Sequence, residues 1–362
     1  MGNPFTRDHI RSINPYEPIV PLDVLLEKLG IPIVNLIKLD ANENPYGMPP
    51  SSKRRLANLS FGHIYPDPES RFLREALSDT LAVPYENILL GAGADELIDL
   101  IMRLTLDPGQ KMINCPPTFG FYDAAAQVNN LQILDVLRKP GFSLDFPGIE
   151  MAVSEGAKLI FLANPNNPDG GVIPHEDLER ILALPILVVL DEAYVEFARP
   201  YESWIPEVLQ RDNLIVLRTF SKWGGLAGLR LGYGVFPRNL ADEVMKIKQP
   251  YNVSVPASEA GLGALEDIDL LNERTALIIR ERERLMDGLR GLDYLDPYPS
   301  HANFILCKVT KGDAKKLKEN LTQRGILIRY FNKPGLTDHV RFSIGKPEEI
   351  DQLLETLEEL QP

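Results

Sequence analysis

Short apolar segments of strand length alternate with amphipathic helical segments along most of this sequence, and this alternation restricts the fold more than any other feature. Residues 96–104, with leucine or isoleucine at positions 97, 100, 101 and 104, have the spacing of a helix that buries one face. Such alternation is typical of an α/β fold, in which helical crossovers cover a sheet. Strands are predicted at residues 87–90, 158–163, 186–190 and 214–217.

The length of the chain predicts more than one domain, because a single hydrophobic core rarely extends over 362 residues. The first 50 residues contain several prolines and are predicted to form an extended arm and loops rather than a packed core. We therefore expect an N-terminal arm (1–38), a large domain (39–258) and a small C-terminal domain (259–362). In the C-terminal part, helices are predicted at residues 269–292, 314–324 and from 348, and strands at 303–309, 326–329 and 340–344.

The composition argues against several classes of protein. A formal net charge of −13 disfavours non-specific nucleic-acid binding, which depends on cations that neutralise phosphates. No apolar run approaches the roughly 18 residues that span a bilayer, and the N-terminus lacks the apolar core of a signal peptide. The two cysteines, Cys115 and Cys307, are too few for a disulfide framework, and no zinc-like spacing occurs. We expect a cytoplasmic protein with no membrane partner and no bound metal.

Polar residues follow several of the predicted strands, where open α/β sheets bind their ligands. The turn at residues 91–95 precedes a helix and could present backbone N–H groups to an anion, although it could also be an ordinary turn. Asp191 comes directly after a strand and could pair with a protonated pyridine nitrogen, or it could cap a helix. Tyr194 lies three residues later and could donate to the same ligand, or it could be a half-buried aromatic residue.

Lys222 lies in a segment that follows a strand and is rich in small residues, which allow a ligand to approach closely. Nearby cations or partial burial would lower the pKa of its amine and make it a nucleophile. Thr219, Ser221 and Arg230 add two hydroxyls and a guanidinium suited to a phosphate. The alternative is a glycine-rich loop with incidental charges.

These motifs together resemble the fold-type I pyridoxal-phosphate aminotransferases and, among them, the histidinol-phosphate aminotransferases. The resemblance implies a large domain with a mostly parallel seven-stranded sheet flanked by helices, a smaller α+β C-terminal domain, and a homodimer. Two positions depart from the usual pattern: Asp169 replaces a threonine, and Trp223 with Gly224 replaces a small residue followed by an aromatic one. The similarity runs through residues 39–47, 65–68, 93–96, 164–170, 191–197, 217–222, 225–232 and 340–345.

The resemblance also implies a role for individual residues. Lys222 would form a Schiff base with pyridoxal phosphate, Asp191 would hold the pyridine nitrogen, and Arg341 would bind the carboxylate of glutamate or 2-oxoglutarate. Tyr194 and Asn167 would contact the ring hydroxyl. The remaining cofactor contacts would be Phe119 on the ring, Gly93, Ala94, Asp95, Thr219, Ser221 and Arg230 at the phosphate, and Tyr65 at the phosphate of the neighbouring subunit. The remaining substrate contacts would be Tyr16, Asn42, Tyr251, Asn303 and Arg329.

The implied reaction is transamination of L-histidinol phosphate with 2-oxoglutarate, giving imidazole-acetol phosphate and glutamate, with Lys222 as the proton carrier. The same motifs are compatible with an aromatic amino-acid aminotransferase or a threonine-phosphate decarboxylase. A pyridoxal-phosphate-binding regulator without catalysis is less favoured, because the sequence has no helix-turn-helix or basic extension.

Overall fold

The computed structural model describes residues 5–13, 15, 24, 32 and 36–361, and its larger sheet has seven strands. These are β2 (Ile88–Gly91), β3 (Lys111–Asn114), β4 (Gln132–Asp135), β5 (Ala157–Ala163), β6 (Leu187–Asp191), β7 (Leu214–Thr219) and β8 (Gly232–Val235). Their order is β2-β8-β7-β6-β5-β3-β4, and β8 is antiparallel to both neighbours while the other pairs are parallel. The predicted strands of this region are confirmed.

The central strands are apolar throughout because helices cover both faces of the sheet. Alternate residues of β5 point to opposite faces, so Ile160 joins one hydrophobic cluster and Phe161 joins the other. Val188 and Val189 of β6 divide in the same way. The sheet therefore lies between two buried layers, and its strand ends are the places where polar residues can gather.

Helices surround both sheets, and the predicted helices in the described regions are confirmed to within a few residues. None of the described helices is long and apolar enough to cross a membrane. The α-helices are Asp8–Ser12, Pro50–Ala57, Arg71–Leu81, Ala94–Thr105, Phe121–Val128, Phe146–Ser154, His175–Leu182, Ile205–Val208, Arg238–Ile247, Val255–Glu266, Ile268–Arg290, Ala314–Gln323 and Pro347–Glu359. Short 3₁₀ helices are formed by Tyr85–Asn87, Val195–Phe197 and Ala227–Leu229.

The smaller sheet contains five strands, four of them from the C-terminal part of the chain. The strands are β1 (Ile37–Leu39), β9 (Leu295–Pro297), β10 (Phe304–Val309), β11 (Ile326–Tyr330) and β12 (His339–Ser343). They lie in the order β1-β11-β12-β10-β9, with β1 parallel to β11 and the other pairs antiparallel.

Strand β1 corrects the expectation that the first 50 residues lie outside a packed core. Ile37 and Leu39 are buried, and β1 pairs with β11 from residue 37 to residue 39. The apolar side chains on either side of Lys38 give the strand one buried face, a pattern too short to stand out in the sequence. The expected boundary at residue 39 falls inside this strand, and the boundary at 259 falls inside the helix Val255–Glu266. The division into domains therefore stays a prediction.

Candidate active site

The predicted site residues of the large sheet gather at one edge. Strands β5, β6 and β7 are parallel, and β2 runs in the same direction because the antiparallel β8 separates it from β7. Their carboxyl ends therefore meet on the same side. Asp191 is the last residue of β6, the segment from Thr219 to Lys222 begins at the end of β7, and the helix Ala94–Thr105 begins shortly after β2.

Asp191 is a buried carboxylate, and each of its oxygens accepts one hydrogen bond. The Tyr122 hydroxyl donates to Oδ2 at 2.7 Å, and the Ala193 amide donates to Oδ1 at 3.1 Å. Burial raises the pKa of Asp191 to about 6, although both hydrogen bonds act in the opposite direction. An ionised carboxylate in this setting can still accept a further hydrogen bond, which is what a cationic ring nitrogen requires.

Lys222 is half-buried, and its ammonium lies near the centre of this edge. Its Nζ donates to the carbonyl oxygen of Ala41 at 3.1 Å and lies 5.8 Å from the centre of the Tyr194 ring. Burial lowers the pKa of Lys222 to about 8, and the positive charge of Arg341 lowers it as well. A pKa near 8 leaves about one tenth of these amines neutral at pH 7, many more than an ordinary lysine provides.

The N-terminus of the helix Ala94–Thr105 forms the next part of the site. Gly93 precedes it with a φ of +81°, and the guanidinium of Arg230 packs directly against this glycine. A Cβ atom at position 93 would lie 2.5 Å from Nη2 of Arg230, so only glycine leaves room for that side chain. Arg230 also forms a 2.6 Å ion pair with Asp95. The free N–H groups of a helix start and an adjacent guanidinium suit a phosphate.

Two hydroxyls lie at the end of β7 beside this helix start. The hydroxyl oxygens of Thr219 and Ser221 are 2.9 Å apart, and the Ser221 amide donates to Thr219 Oγ1 at 3.0 Å. Both side chains are buried. These hydroxyls can donate to an anion and complement the charge of Arg230.

The segment after β1 crosses the site and connects the two sheets. The carbonyl oxygens of residues 40, 41 and 42 accept hydrogen bonds, in that order, from Arg341, Lys222 and Asn303 at 3.0, 3.1 and 3.0 Å. Arg341 and Asn303 belong to the C-terminal part of the chain, whereas Lys222 belongs to the large sheet. Three consecutive backbone acceptors thus hold three predicted site residues.

Asn42 adds a side-chain link between the same regions. Its backbone has a φ of +55°, and its Nδ2 donates to the Tyr194 hydroxyl oxygen at 3.1 Å. Ser343 at the end of β12 contacts both the backbone nitrogen and Oδ1 of Asn42, each at 2.9 Å. Asparagine tolerates this left-handed backbone better than most residues, so the conformation and the hydrogen bonds favour the same side chain.

Arg341 connects the smaller sheet to the loop after β5. Its Nη1 donates to Oδ1 of Asn167 at 2.6 Å, and its guanidinium lies 4.9 Å from the Phe304 ring and 5.6 Å from the Phe331 ring. Arg329 is its neighbour in the β11–β12 register and lies 5.8 Å from the same Phe331 ring. The Arg341 charge acts on Lys222, and Arg329 lies next to Arg341 in the sheet, so the two guanidinium groups could bind anionic parts of a substrate.

Three other predicted residues make aromatic contacts. Tyr65 and Tyr251 stack on each other with ring centres 4.7 Å apart, and they are 79% and 44% exposed. Phe119 is half-buried and meets the edge of Tyr122 at 5.4 Å. Tyr16 lies outside the described residues.

Sequence reasoning missed Tyr122, Ser343 and the role of the backbone at residues 40–42. No local signal identifies Tyr122, because Phe119 lies before the helix Phe121–Val128 and the orientation of that helix decides where the Tyr122 hydroxyl points. Of the two departures from the family pattern, Asp169 forms hydrogen bonds within its own loop. Its carboxylate accepts from Asn166 and from the Gly171 amide.

Comparisons with known proteins find a matching family and similar relatives. A family model described as aminotransferase class I and II matches residues 34–357. A chloroplastic histidinol-phosphate aminotransferase of Arabidopsis thaliana is 51% identical over 99% of this chain and 86% of the relative. A histidinol-phosphate aminotransferase of Roseiflexus castenholzii is 49% identical over 98% of this chain and 97% of the relative.

The solved structures agree as well. The histidinol-phosphate aminotransferase of Sinorhizobium meliloti in complex with pyridoxal-5'-phosphate is 30% identical, has a TM-score of 0.88 and covers 99% of both chains. The fold-type I architecture and the family resemblance expected from the motifs are thereby confirmed. The chain belongs to the class I and II aminotransferase family.

Proposed function

We propose that this chain transfers the amino group of L-histidinol phosphate to 2-oxoglutarate, giving imidazole-acetol phosphate and glutamate. The observation that carries this proposal is the arrangement of Lys222, with its lowered amine pKa, and the buried carboxylate of Asp191 at one edge of a fold-type I sheet. Relatives that match nearly the whole chain at about half identity bear the name of this activity, which supports the choice of substrate.

The residues of the site fit pyridoxal phosphate. Asp191 offers a buried anion for the pyridine nitrogen, and the helix start after Gly93, with Arg230, Thr219 and Ser221, offers donors for the phosphate. When bound, the cofactor withdraws electrons from the substrate carbon that carries the amine, which makes loss of its proton feasible.

In this proposal Lys222 holds the cofactor aldehyde and later moves a proton. The neutral Lys222 amine would accept the proton from the substrate carbon that carries the amino group and would later donate a proton back. The lowered pKa favours this role, since only the neutral amine can accept a proton. Tyr194 and Asn167 hold the ring hydroxyl, and Phe119 covers the ring.

The proposal also assigns side chains to the carboxylate, phosphate and imidazole groups of the substrates. The Arg341 guanidinium holds the carboxylate of glutamate or 2-oxoglutarate, a planar anion that matches its paired donors. Asn303 is fully buried and its Oδ1 has no partner among the described residues, so it can accept a hydrogen bond from a substrate. Arg329, Asn42, Tyr251 and Tyr16 complete the proposed contacts to the phosphate and the imidazole.

We also propose a homodimer in the cytoplasm. Tyr65, which is exposed and stacks on Tyr251, would reach the phosphate site of the partner. Phe61, Ile64 and Phe72 are further large apolar side chains exposed in the same part of the sequence. The two described cysteines are buried and free, which is compatible with a reducing compartment.

A half-reaction screen tests the proposed function. The purified enzyme with pyridoxal phosphate is mixed with L-histidinol phosphate, phenylalanine, threonine phosphate or glutamate, and the absorbance of the cofactor is followed. We expect a fast spectral change with histidinol phosphate and with glutamate. Faster reaction with phenylalanine, or release of carbon dioxide from threonine phosphate, would overturn the choice of substrate. Failure of borohydride to trap the cofactor on Lys222 would overturn the proposed cofactor chemistry.

A further inference from the structure

Tyr122 was not among the predicted site residues, yet its hydroxyl has a partner at the centre of the site. It lies in the first turn of the helix Phe121–Val128 and donates to Oδ2 of Asp191 at 2.7 Å. The ring is completely buried, stacks on Phe161 at 5.2 Å and meets the edge of Phe119 at 5.4 Å. These contacts leave the hydroxyl little freedom to point elsewhere.

We propose that Tyr122 is a positioning residue for Asp191, whose carboxylate it orients and keeps ionised so that the carboxylate can hold the pyridine nitrogen of the cofactor. This inference rests on the proposed function, because it assigns Asp191 to that nitrogen. It goes beyond the function by adding a residue that acts through Asp191.

The hydrogen-bonding capacity of the carboxylate supports the assignment. An ionised carboxylate has about four acceptor positions. The Tyr122 hydroxyl and the Ala193 amide each occupy one, on different oxygens, and the remaining positions are available to a ligand. Tyr122 also stays a donor at every ordinary pH, since burial and the charge of Asp191 raise the pKa of its phenol well above the usual value.

The charges around Asp191 explain why a donor is needed. Burial opposes ionisation, and the neighbouring carboxylates of Asp95 and Glu192 oppose it further. Tyr122 and the Ala193 amide act in the other direction. Of these two donors only the Tyr122 hydroxyl can be removed by a substitution that keeps the shape of the residue. In the described part of the chain, that hydroxyl has no other partner.

The substitution Tyr122→Phe removes this donor and keeps the ring and its stacking on Phe161. The experiment measures the dissociation constant of pyridoxal phosphate against pH, together with the pH titration of the absorbance of the holoenzyme. Loss of a hydrogen bond to a charged group makes Asp191 harder to ionise. Cofactor affinity should fall at low pH, where Asp191 is protonated. We expect the midpoint of this fall to lie about one pH unit higher in the variant, which is a tenfold change in the ionisation equilibrium.

Two further variants separate positioning from general stability. The substitution Asp191→Asn removes the ionisable group, so adding Tyr122→Phe to it should cause no further shift of the pH profile. The substitution Tyr294→Phe deletes an equally buried hydroxyl that donates to Leu357 O at 2.7 Å in the C-terminal part of the chain. It should lower the thermal midpoint without moving the pH profile.

An unshifted pH profile in Tyr122→Phe overturns the inference, and so does a shift of equal size in the Asp191→Asn background. Failure of the proposed function would look different. In that case the unsubstituted enzyme itself would not bind pyridoxal phosphate or would not react with histidinol phosphate.

Discussion

The guanidinium of Arg341 in β12 donates to Oδ1 of Asn167, which lies in the loop after β5, at a distance of 2.6 Å. This contact joins the smaller sheet to the larger one beside Lys222. The same guanidinium also donates to the carbonyl oxygen of Asp40. Any change of Arg341 therefore affects the proposed anion-binding group and the contact between the two sheets.

The substitution Arg341→Lys should weaken binding of the oxo acid. Lysine keeps the charge but loses the paired donors that match a carboxylate. We expect the KM for 2-oxoglutarate to rise by a factor of about ten to a hundred, because losing a hydrogen bond to a charged group costs about 1.5–3 kcal/mol. The KM for histidinol phosphate, which has no carboxylate, should rise less. Steady-state kinetics with each substrate varied in turn measures both values.

The neighbouring Arg329 supplies the control for this substitution. It lies beside the same Phe331 ring, and Arg329→Lys makes the same chemical change one strand away. It should affect histidinol phosphate more than 2-oxoglutarate. Equal effects of both substitutions on both substrates would contradict the separate roles proposed for the two arginines.

The lowered pKa of Lys222 predicts how cofactor loading depends on pH. Only the neutral amine reacts with the aldehyde of pyridoxal phosphate, and its fraction rises with pH until the pH passes the pKa, about 8. The rate of reconstitution of cofactor-free enzyme should therefore rise about tenfold per pH unit below 8 and level off above it. Stopped-flow absorbance at pH 6–10 measures this rate. A rate that is still rising tenfold per unit at pH 10 would contradict a lowered pKa.

A variant of Arg341 tests the cause of this shift. The Arg341 charge lowers the pKa of Lys222, second only to burial. Arg341→Gln should therefore raise the pKa and move the midpoint of the reconstitution profile to higher pH. An unchanged midpoint would contradict a contribution of the Arg341 charge to the lowered pKa.

The large sheet and the residues at its strand ends could be predicted from the sequence because the signals are local. Asp191 directly follows an apolar strand, and Lys222 follows another in a segment of small residues. The strands that carry them are neighbours and parallel, so their ends meet without further information. The positions of Asp191 and Lys222 thus follow from strand length and from the general rule for open α/β sheets.

Contacts between distant parts of the chain could not be predicted in this way. Strand β1 has only three residues, and its partner Ile326 lies almost at the other end of the chain. The hydrogen bonds from Arg341 and Asn303 to residues 40–42 depend on that pairing. The direction of the Tyr122 hydroxyl depends instead on how the helix Phe121–Val128 is rotated about its axis. This rotation decides whether the hydroxyl points to Asp191 or to the hydrophobic layer.

Two substitutions of Asn42 separate its backbone conformation from its hydrogen bonds. Both Asn42→Gly and Asn42→Ala remove the donor to Tyr194, but only glycine accepts a φ of +55° without strain. We expect the alanine variant to be less stable than the glycine variant by about 1 kcal/mol, measured by urea unfolding. The rate of the half-reaction should fall by a similar factor in both variants. A glycine variant that reacts as fast as the unsubstituted enzyme would show that the Tyr194 contact does not matter for the reaction.

Gly93 and Gly109 offer a matched pair of substitutions for the proposed phosphate site. Both have a positive φ, +81° and +87°, so alanine at either position should cost about 1–2 kcal/mol of stability. They differ in their surroundings, because a Cβ atom would lie 2.5 Å from Arg230 Nη2 at position 93 and meets nothing within 4 Å at position 109.

Only Gly93→Ala should therefore weaken cofactor binding, because the new methyl group displaces the Arg230 guanidinium from the helix start. The loss of one charge-assisted hydrogen bond corresponds to about a tenfold rise in the dissociation constant of pyridoxal phosphate. Fluorescence titration of the cofactor-free variants measures this constant, and urea unfolding measures the stability that both lose. Equally tight cofactor binding by Gly93→Ala and Gly109→Ala would contradict the proposed role of Arg230. It would show that the guanidinium, in its present position beside Asp95, does not hold the phosphate.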